Sequence, residues 1–86
     1  MVTKTDKYSD LAAALRDGLA GNTASYARFL NELAPLLRRM VGARIPQADV
    51  EDVVQEVLIS IHKARHTYDG MRPVMPWVAA ITQFRM

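Results

Sequence analysis

Acidic and amide side chains recur along one side of a helical pattern in the middle of the chain. Asp49, Asp52 and Glu56 are spaced so that a helix places them on one strip, with Gln55 beside them. Charged helix faces are usually exposed to solvent and nothing more. Exposed charges contribute little to stability, however, so stability alone does not require this order. The pattern therefore fits either a solvated face or a docking surface for a basic partner.

A tract that mixes cations with aromatic residues follows this pattern. Proteins that bind single-stranded nucleic acid use cations for the phosphates and rings or loop pockets for unstacked bases. The plainer interpretation is a solvated helix end followed by a buried tryptophan. We expect Trp77 to lie in the core and residues 67–75 to form a functional loop. The residues of the tract are Lys63, Arg65, His66, Tyr68, Asp69, Gly70 and Arg72.

No catalytic constellation is visible, and no catalytic residue or cofactor is expected. His62 and His66 have the spacing of a helical metal pair, but Lys63 and Arg65 stand between them and no glutamate does. Two cations beside a metal ion are unfavourable. A small metal-dependent hydrolase built on the two histidines therefore ranks below the binding interpretations, and His66 is assigned to the helix end, where it meets the carbonyl dipoles.

Composition indicates one small domain. The chain has 86 residues, of which 50% are hydrophobic, enough for a modest core but not for a deep enclosed active site. It has no cysteine, which is consistent with a reducing cytoplasm. No apolar run approaches the about 20 residues that span a bilayer, so no membrane insertion is expected. The net charge of +2 hides an acidic segment, residues 49–56, between basic ones.

Hydrophobic periodicity predicts an all-α fold, a compact bundle of three main helices with a short extra one at the start. Residues 1–8 are expected to be a flexible N-terminus and residues 9–86 one helical domain. Ser9 is the expected cap of the short helix, which glycines end near Asp17. Asn22 or Thr23 begins the second helix, which runs to about Ala43, with a kink or break near Pro35.

The central helix is predicted from Asp49, as its N-cap, to His66, and the last helix from Pro76, as its first residue, to Arg85. Asp69-Gly70 is a turn signal between them. The predicted inner face of the last helix comprises Trp77, Ala80, Ile81 and Phe84. A shared core is predicted from Leu33, Leu37, Val41, Val54, Val57, Leu58, Ile61, Trp77 and Ile81.

Three motifs in order resemble region 2 of the extracytoplasmic-function (ECF) sigma factors, the small dissociable subunits of bacterial RNA polymerase. They are the Asp-x-x-Asp-x-x-Gln-Glu run from Asp49, the Arg-His-Thr-Tyr-Asp tract from Arg65, and Arg-Pro-x-x-Pro-Trp from Arg72. The match covers residues 33–85. The resemblance implies a sigma region 2 type of helical bundle and a role in transcription initiation.

In that family, the helix that matches the acidic segment docks on the clamp helices of the polymerase's largest subunit. The resemblance therefore implies polymerase contacts by Asp49, Asp52, Gln55 and Glu56. The family's following loop and helix recognise the melted non-template strand of the minus-ten promoter element, with one base turned out into a loop pocket. The residues implied in DNA binding are Lys63, Arg65, Tyr68, Asp69, Gly70, Arg72, Gln83 and Arg85. An anti-sigma factor is a further implied partner, and the cytoplasm the implied location.

The chain departs from the family's usual pattern in two places. The family continues beyond the position of Met86 with a linker and a domain that reads the minus-thirty-five element, which we expect to be absent here. Residues 82–84 also replace a tract that often carries an arginine. The alternative function is therefore a helical regulatory interaction module that keeps a sigma-like docking surface and does not bind DNA.

Overall fold

The computed structural model describes residues 8–86, which form four α-helices and contain no strand. The helices are α1 (Ser9–Leu19), α2 (Thr23–Gly42), α3 (Gln47–Lys63) and α4 (Val74–Arg85), with one 3₁₀ turn at Arg65–Thr67. Helix α1 packs mainly on α2, α2 on α3, and α3 on α4. The predicted all-α class is confirmed. Residues 1–7, to which most of the expected flexible N-terminus belongs, lie outside the described residues, whereas Tyr8 packs against the core.

Periodic apolar residues bury one face of each long helix. Phe29, Leu33, Leu37 and Val41 of α2 are fully buried, and in α3 the buried residues are Val50, Val54, Val57 and Ile61. Fully burying side chains of this size stabilises a fold by about 1.5–3 kcal/mol each relative to exposure. The predicted core is confirmed for α2 and most of α3, while Leu58 is only partly buried.

The predicted phase of α4 is wrong. Its buried residues are Val74, Val78 and Thr82, whereas Phe84 is 84% exposed, Ala80 is exposed, and Trp77 and Ile81 are partly buried. The helix begins at Val74 rather than Pro76, and its residues at intervals of four face the core. The Thr82 hydroxyl is accommodated there because it donates to the Val78 carbonyl at 2.8 Å.

Several predicted helix starts are displaced. Tyr8, not Ser9, precedes α1, and Asp49 lies inside the first turn of α3 instead of capping it. Pro46 and Pro73 stand immediately before α3 and α4 with extended backbones, which proline favours. Pro76 is accepted in the first turn because the first amides of a helix have no partner within it. The predicted start of α2 is confirmed, since the Asn22 side chain accepts from the Ser25 amide at 3.0 Å.

Neither Pro35 nor Gly18 breaks its helix. Helix α2 continues through Pro35, which is exposed, so the predicted break does not occur there. Helix α1 extends past Asp17 to Leu19 and includes Gly18. A side chain at Gly18 has no room, since its Cβ would lie 2.7 Å from the Tyr26 Cβ and 2.8 Å from the Tyr26 Cα. Gly21, with φ of 115°, makes the turn into α2.

Gly18→Ala should lower the free energy of unfolding by about 1–3 kcal/mol, because α1 and α2 must separate to admit the methyl group. Gly42→Ala is the matched control, since its Cβ would have nothing closer than a Val50 methyl at 4.0 Å. Alanine is the better helix former, so this control should be neutral or stabilising. Urea denaturation of both variants checks the prediction, and equal stability would contradict the close approach at Gly18.

Candidate docking and nucleic-acid surfaces

The outer face of α3 carries the predicted acidic strip, which comprises Asp49, Asp52, Gln55 and Glu56. All four residues are exposed, on the side opposite the buried valines. None of the three carboxylates forms an ion pair with any residue in 8–86. The strip therefore presents solvated side-chain oxygens on a rigid helix. These oxygens can accept hydrogen bonds from the cationic side chains of a partner.

Glu51 does not belong to the acidic strip and forms an ion pair within the domain. Its carboxylate accepts from the Arg38 guanidinium at 2.8 Å, which joins α3 to α2. Ile59 continues the strip by one turn and is 50% exposed. An apolar side chain at the end of an acidic strip adds contact area for a partner, and sequence periodicity gave no sign of its exposure. The acidic strip and Ile59 together form one continuous outer surface.

The loop between α3 and α4, residues 68–73, is held by its own polar groups. The Asp69 carboxylate accepts from the Met71 amide at 2.9 Å, and the Asp69 carbonyl accepts from the Arg72 amide at 2.9 Å. The Arg72 guanidinium lies 3.4 Å from the Asp69 carboxylate, with 79% of its side chain exposed. The turn predicted at Asp69-Gly70 is therefore present and braced, and it leaves the Arg72 cation at the surface.

Tyr68 anchors this loop from inside. The residue is only 7% exposed, and its hydroxyl donates to the Arg72 carbonyl at 2.6 Å. Its ring packs on the Trp77 ring with centroids 5.3 Å apart. Sequence analysis implied a DNA contact for Tyr68, and that prediction now stands beside a structural role. The buried ring and the hydroxyl bond to Arg72 shape the loop.

A pocket of about 480 Å³ opens between the loop and the start of α4. Its walls bring together three of the implied DNA-binding residues, Tyr68, Asp69 and Arg72, with Thr67, Trp77 and two prolines. The Trp77 indole N–H donates to the Thr67 hydroxyl at 3.0 Å, which fixes the aromatic wall. The pocket offers an aromatic surface, a carboxylate and an exposed cation, a set suited to a flat polar ring with a phosphate attached.

Gly70 lies outside the pocket walls and contacts α1 instead. Its carbonyl accepts from the Arg16 guanidinium at 3.5 Å, and a Cβ at Gly70 would lie 3.1 Å from the Arg16 Cδ. Arg16 thus supports the loop from a distant part of the chain. Sequence analysis missed this residue because nothing in a local pattern links positions 54 residues apart.

The remaining implied DNA-binding residues do not form one surface. Lys63 and Arg85 lie beside an apolar pocket of about 380 Å³ with Phe84, and the Arg85 guanidinium donates to the Ser60 hydroxyl at 2.6 Å. Arg65 donates to the His62 carbonyl at 2.8 Å, and Gln83 lines a separate pocket with Met40. Only Lys63 of these four is an exposed cation without a described partner.

His62, one of the two histidines with metal-pair spacing, contacts a side chain of a neighbouring helix. Its Nδ1 lies 2.8 Å from the Tyr26 hydroxyl of α2. Burial raises the pKa of Tyr26 above its usual 10.0, and the Arg65 guanidinium partly offsets that rise, so the hydroxyl stays protonated near neutral pH. No group of three potential metal ligands occurs among residues 8–86.

Comparison with known proteins decides the family. Residues 25–86 match the family described as Sigma-70 region 2. The chain belongs to this family. It is also 37% identical over 87 aligned positions to the ECF RNA polymerase sigma factor SigF of Caulobacter vibrioides (strain NA1000 / CB15N), which confirms the ECF resemblance seen in its motifs. The alignment covers 95% of this chain and 47% of the relative, so the chain spans about half of that relative's length.

The segment that matches the sigma-70 region 2 family contains α2 except its first two residues, and all of α3, the loop and α4. It therefore contains every implied polymerase-binding and DNA-binding residue. Sigma factors are transcription initiation factors without enzymatic activity of their own. None of the helices in the described part of the chain has the length and apolar character needed to cross a membrane. No solved structure gives a significant match to this sigma region 2 chain.

Proposed function

We propose that this chain is the core-binding and minus-ten recognition domain of an ECF sigma factor. The observation that carries the proposal is the outer face of α3, where exposed, unpaired carboxylates stand on a helix whose opposite face is core. The same helix leads within a few residues to the loop pocket. One rigid element thus connects a surface suited to a basic protein with a pocket suited to a nucleic-acid base.

Docking on the polymerase uses the acidic strip together with Ile59. The clamp helices of the largest subunit present arginines in the related complexes, and arginine pairs with carboxylates through short charge-assisted hydrogen bonds. Asp52 and Glu56 are free to accept such bonds without breaking a contact within residues 8–86. Complementary charge also speeds encounter and rejects wrong partners.

Recognition of the minus-ten element uses the loop pocket. A base leaving the stack costs a few kcal/mol, which pocket contacts and phosphate pairing must offset. Trp77 and Asp69 line the pocket, and the exposed Arg72 guanidinium at its rim is proposed to pair with a phosphate of the strand. Tyr68 and Gly70 hold the loop in shape, while Lys63, Arg65, Gln83 and Arg85 are proposed backbone contacts of lower specificity.

Three further assignments belong to the same proposal. Residues 9–86 act as one sigma region 2 domain preceded by an N-terminal segment, residues 1–8. The domain works in the cytoplasm, where its polymerase partner is. An anti-sigma factor regulates it by covering its partner-binding surfaces.

The alternative, a regulatory module with a sigma-like docking surface and no DNA binding, is favoured by one specific observation. The implied phosphate-binding cations are divided between surfaces, since Lys63 and Arg85 line one pocket and Arg65 lines another. Cations that do not lie along one track contact fewer phosphates of a single strand, which weakens binding. Binding to single-stranded DNA separates the two functions.

Asp52→Asn should weaken binding to a fragment of the polymerase clamp helices and leave thermal stability nearly unchanged, since exposed charges contribute about 0–1 kcal/mol to folding. Glu51→Gln is the matched control because it removes one negative charge from the same helix, outside the strip. Calorimetric titration of the two variants checks this. Docking through the strip is refuted if the two variants lose affinity equally.

Arg72→Ala should abolish most of the preference of the domain for a minus-ten single strand over a scrambled one, because Arg72 stands at the pocket rim. Lys63→Ala should instead weaken binding to both strands alike and reduce the salt slope by about 0.7, the value for one phosphate contact on a single strand. Fluorescence anisotropy over a salt series measures both effects. A folded chain that binds no single strand at low salt would establish the alternative function.

A further inference from the structure

A second polar pocket, of about 290 Å³, opens between the α1–α2 turn and the C-terminal end of α3. Gly18 and Leu19 at the end of α1 and Gly21 of the turn form part of its wall. Its polar walls are Thr23, Tyr26, His62, Arg65 and His66. Neither the acidic strip nor the loop pocket includes this cavity. None of the functions described above uses its histidines.

The electrostatic character of the pocket is basic. Three of its lining residues, His62, Arg65 and His66, carry basic side chains, and no lining residue is acidic. None of the three takes part in an ion pair with another residue in 8–86. Arg65 uses one N–H for the His62 carbonyl, and a guanidinium has five donors, so donors remain for an anion.

The Tyr26–His62 contact makes the pocket sensitive to protonation. In the neutral tautomer of His62 that carries its proton on Nε2, Nδ1 accepts the Tyr26 hydroxyl proton across the 2.8 Å contact. When His62 is protonated, Nδ1 becomes a donor and the tyrosine oxygen the acceptor. The hydroxyl proton is then released from this bond and becomes available to a ligand. Protonation therefore adds a positive charge and a hydrogen-bond donor in the same step.

We propose that this pocket binds a phosphate group, and that protonation of His62 strengthens the binding. The ligand chemistry is a tetrahedral oxyanion held by Arg65, the two imidazoles and the hydroxyls of Thr23 and Tyr26. The inference rests on the proposed function in one respect, the backbone contact of Arg65, and goes beyond it by assigning the two imidazoles, Thr23 and Tyr26 to the same oxyanion. It requires neither polymerase docking nor base recognition. The phosphate comes either from a nucleic-acid backbone or from a small free molecule.

No acidic side chain lies among the pocket walls around His62. Helix α2 contributes Tyr26, which is neutral near pH 7 because burial raises its pKa. The α1–α2 turn contributes no titratable side chain to the pocket, and Asp17 of α1 is exposed and is not among its walls. Arg65 and His66 are the remaining charged or titratable side chains of the pocket. A bound anion therefore meets basic side chains and no carboxylate among the pocket walls.

Nuclear magnetic resonance titration of the histidine ring signals tests the proposal, with inorganic sulfate as the probe because its charge is constant where histidine titrates. Sulfate, compared with chloride at equal ionic strength, should raise the pKa of His62, since an anion that prefers the protonated form must shift its titration upward. Affinity for sulfate should rise as the pH falls through that pKa.

Two variants and one control locate the effect. Arg65→Gln should weaken sulfate binding by about tenfold or more, the size expected for loss of a charge-assisted hydrogen bond. Arg39→Gln removes the same charge from an exposed position of α2 outside the pocket and should leave sulfate binding unchanged. Tyr26→Phe keeps the ring and should reduce the pH dependence of binding. No sulfate-induced shift in the parent chain, or equal losses in the Arg65 and Arg39 variants, would overturn the proposal.

A single-stranded oligonucleotide then distinguishes the two sources. The strand is added to the Arg72→Ala variant, in which base recognition is disabled. If it shifts the ring signals of His62 and His66, the bound group is a backbone phosphate. Shifts produced by sulfate but not by the strand identify a small free phosphate-bearing molecule. Both outcomes are independent of whether the loop reads a promoter sequence.

Discussion

One-sided burial of α3 is the constraint on which the rest of the structure depends. Val50, Val54, Val57 and Ile61 place the whole inner face of the helix in the core, in contact with α2 and α4. The helix cannot rotate about its axis without exposing these residues. Its outer face is therefore fixed in direction, and the carboxylates of the acidic strip are presented as a rigid, ordered row.

The same constraint determines where the loop begins. Because α3 ends at Lys63, the 3₁₀ turn and Tyr68 follow at a defined place, and Tyr68 packs beside Trp77. The tyrosine hydroxyl, the Asp69 carboxylate and the Arg16 guanidinium then hold the loop backbone at three points. A pocket preorganised in this way loses less conformational entropy when a ligand enters than a mobile loop would.

Sequence reasoning recovered the features that depend on local periodicity. The helical class, the buried faces of α2 and α3 and the exposure of the acidic strip all follow from the spacing of apolar residues. The phase of α4 was predicted wrongly because its short apolar-rich sequence, with tryptophan and phenylalanine as well as valines, allows more than one inner face. Only the helix start at Val74 and the packing against α3 select Val74, Val78 and Thr82.

Contacts between distant segments were beyond that reasoning. The local sequence around Tyr68 predicts an exposed turn residue, whereas its burial results from packing against α4. The Tyr26–His62 bond joins residues 36 positions apart, and the Arg16–Gly70 contact crosses most of the chain. Tertiary packing of this kind decides which polar groups are free for partners, so sequence could nominate the site residues but could not divide them between surfaces.

The central claim is that α3 separates a protein-docking face from a strand-binding loop, so that both partners bind at once. The most direct test is the anisotropy of a labelled minus-ten single strand bound to the domain, measured with and without a saturating fragment of the polymerase clamp helices. The account predicts that strand affinity with the fragment is at least as high as without it. Displacement of the strand by the fragment would show that the two surfaces overlap and would contradict the account.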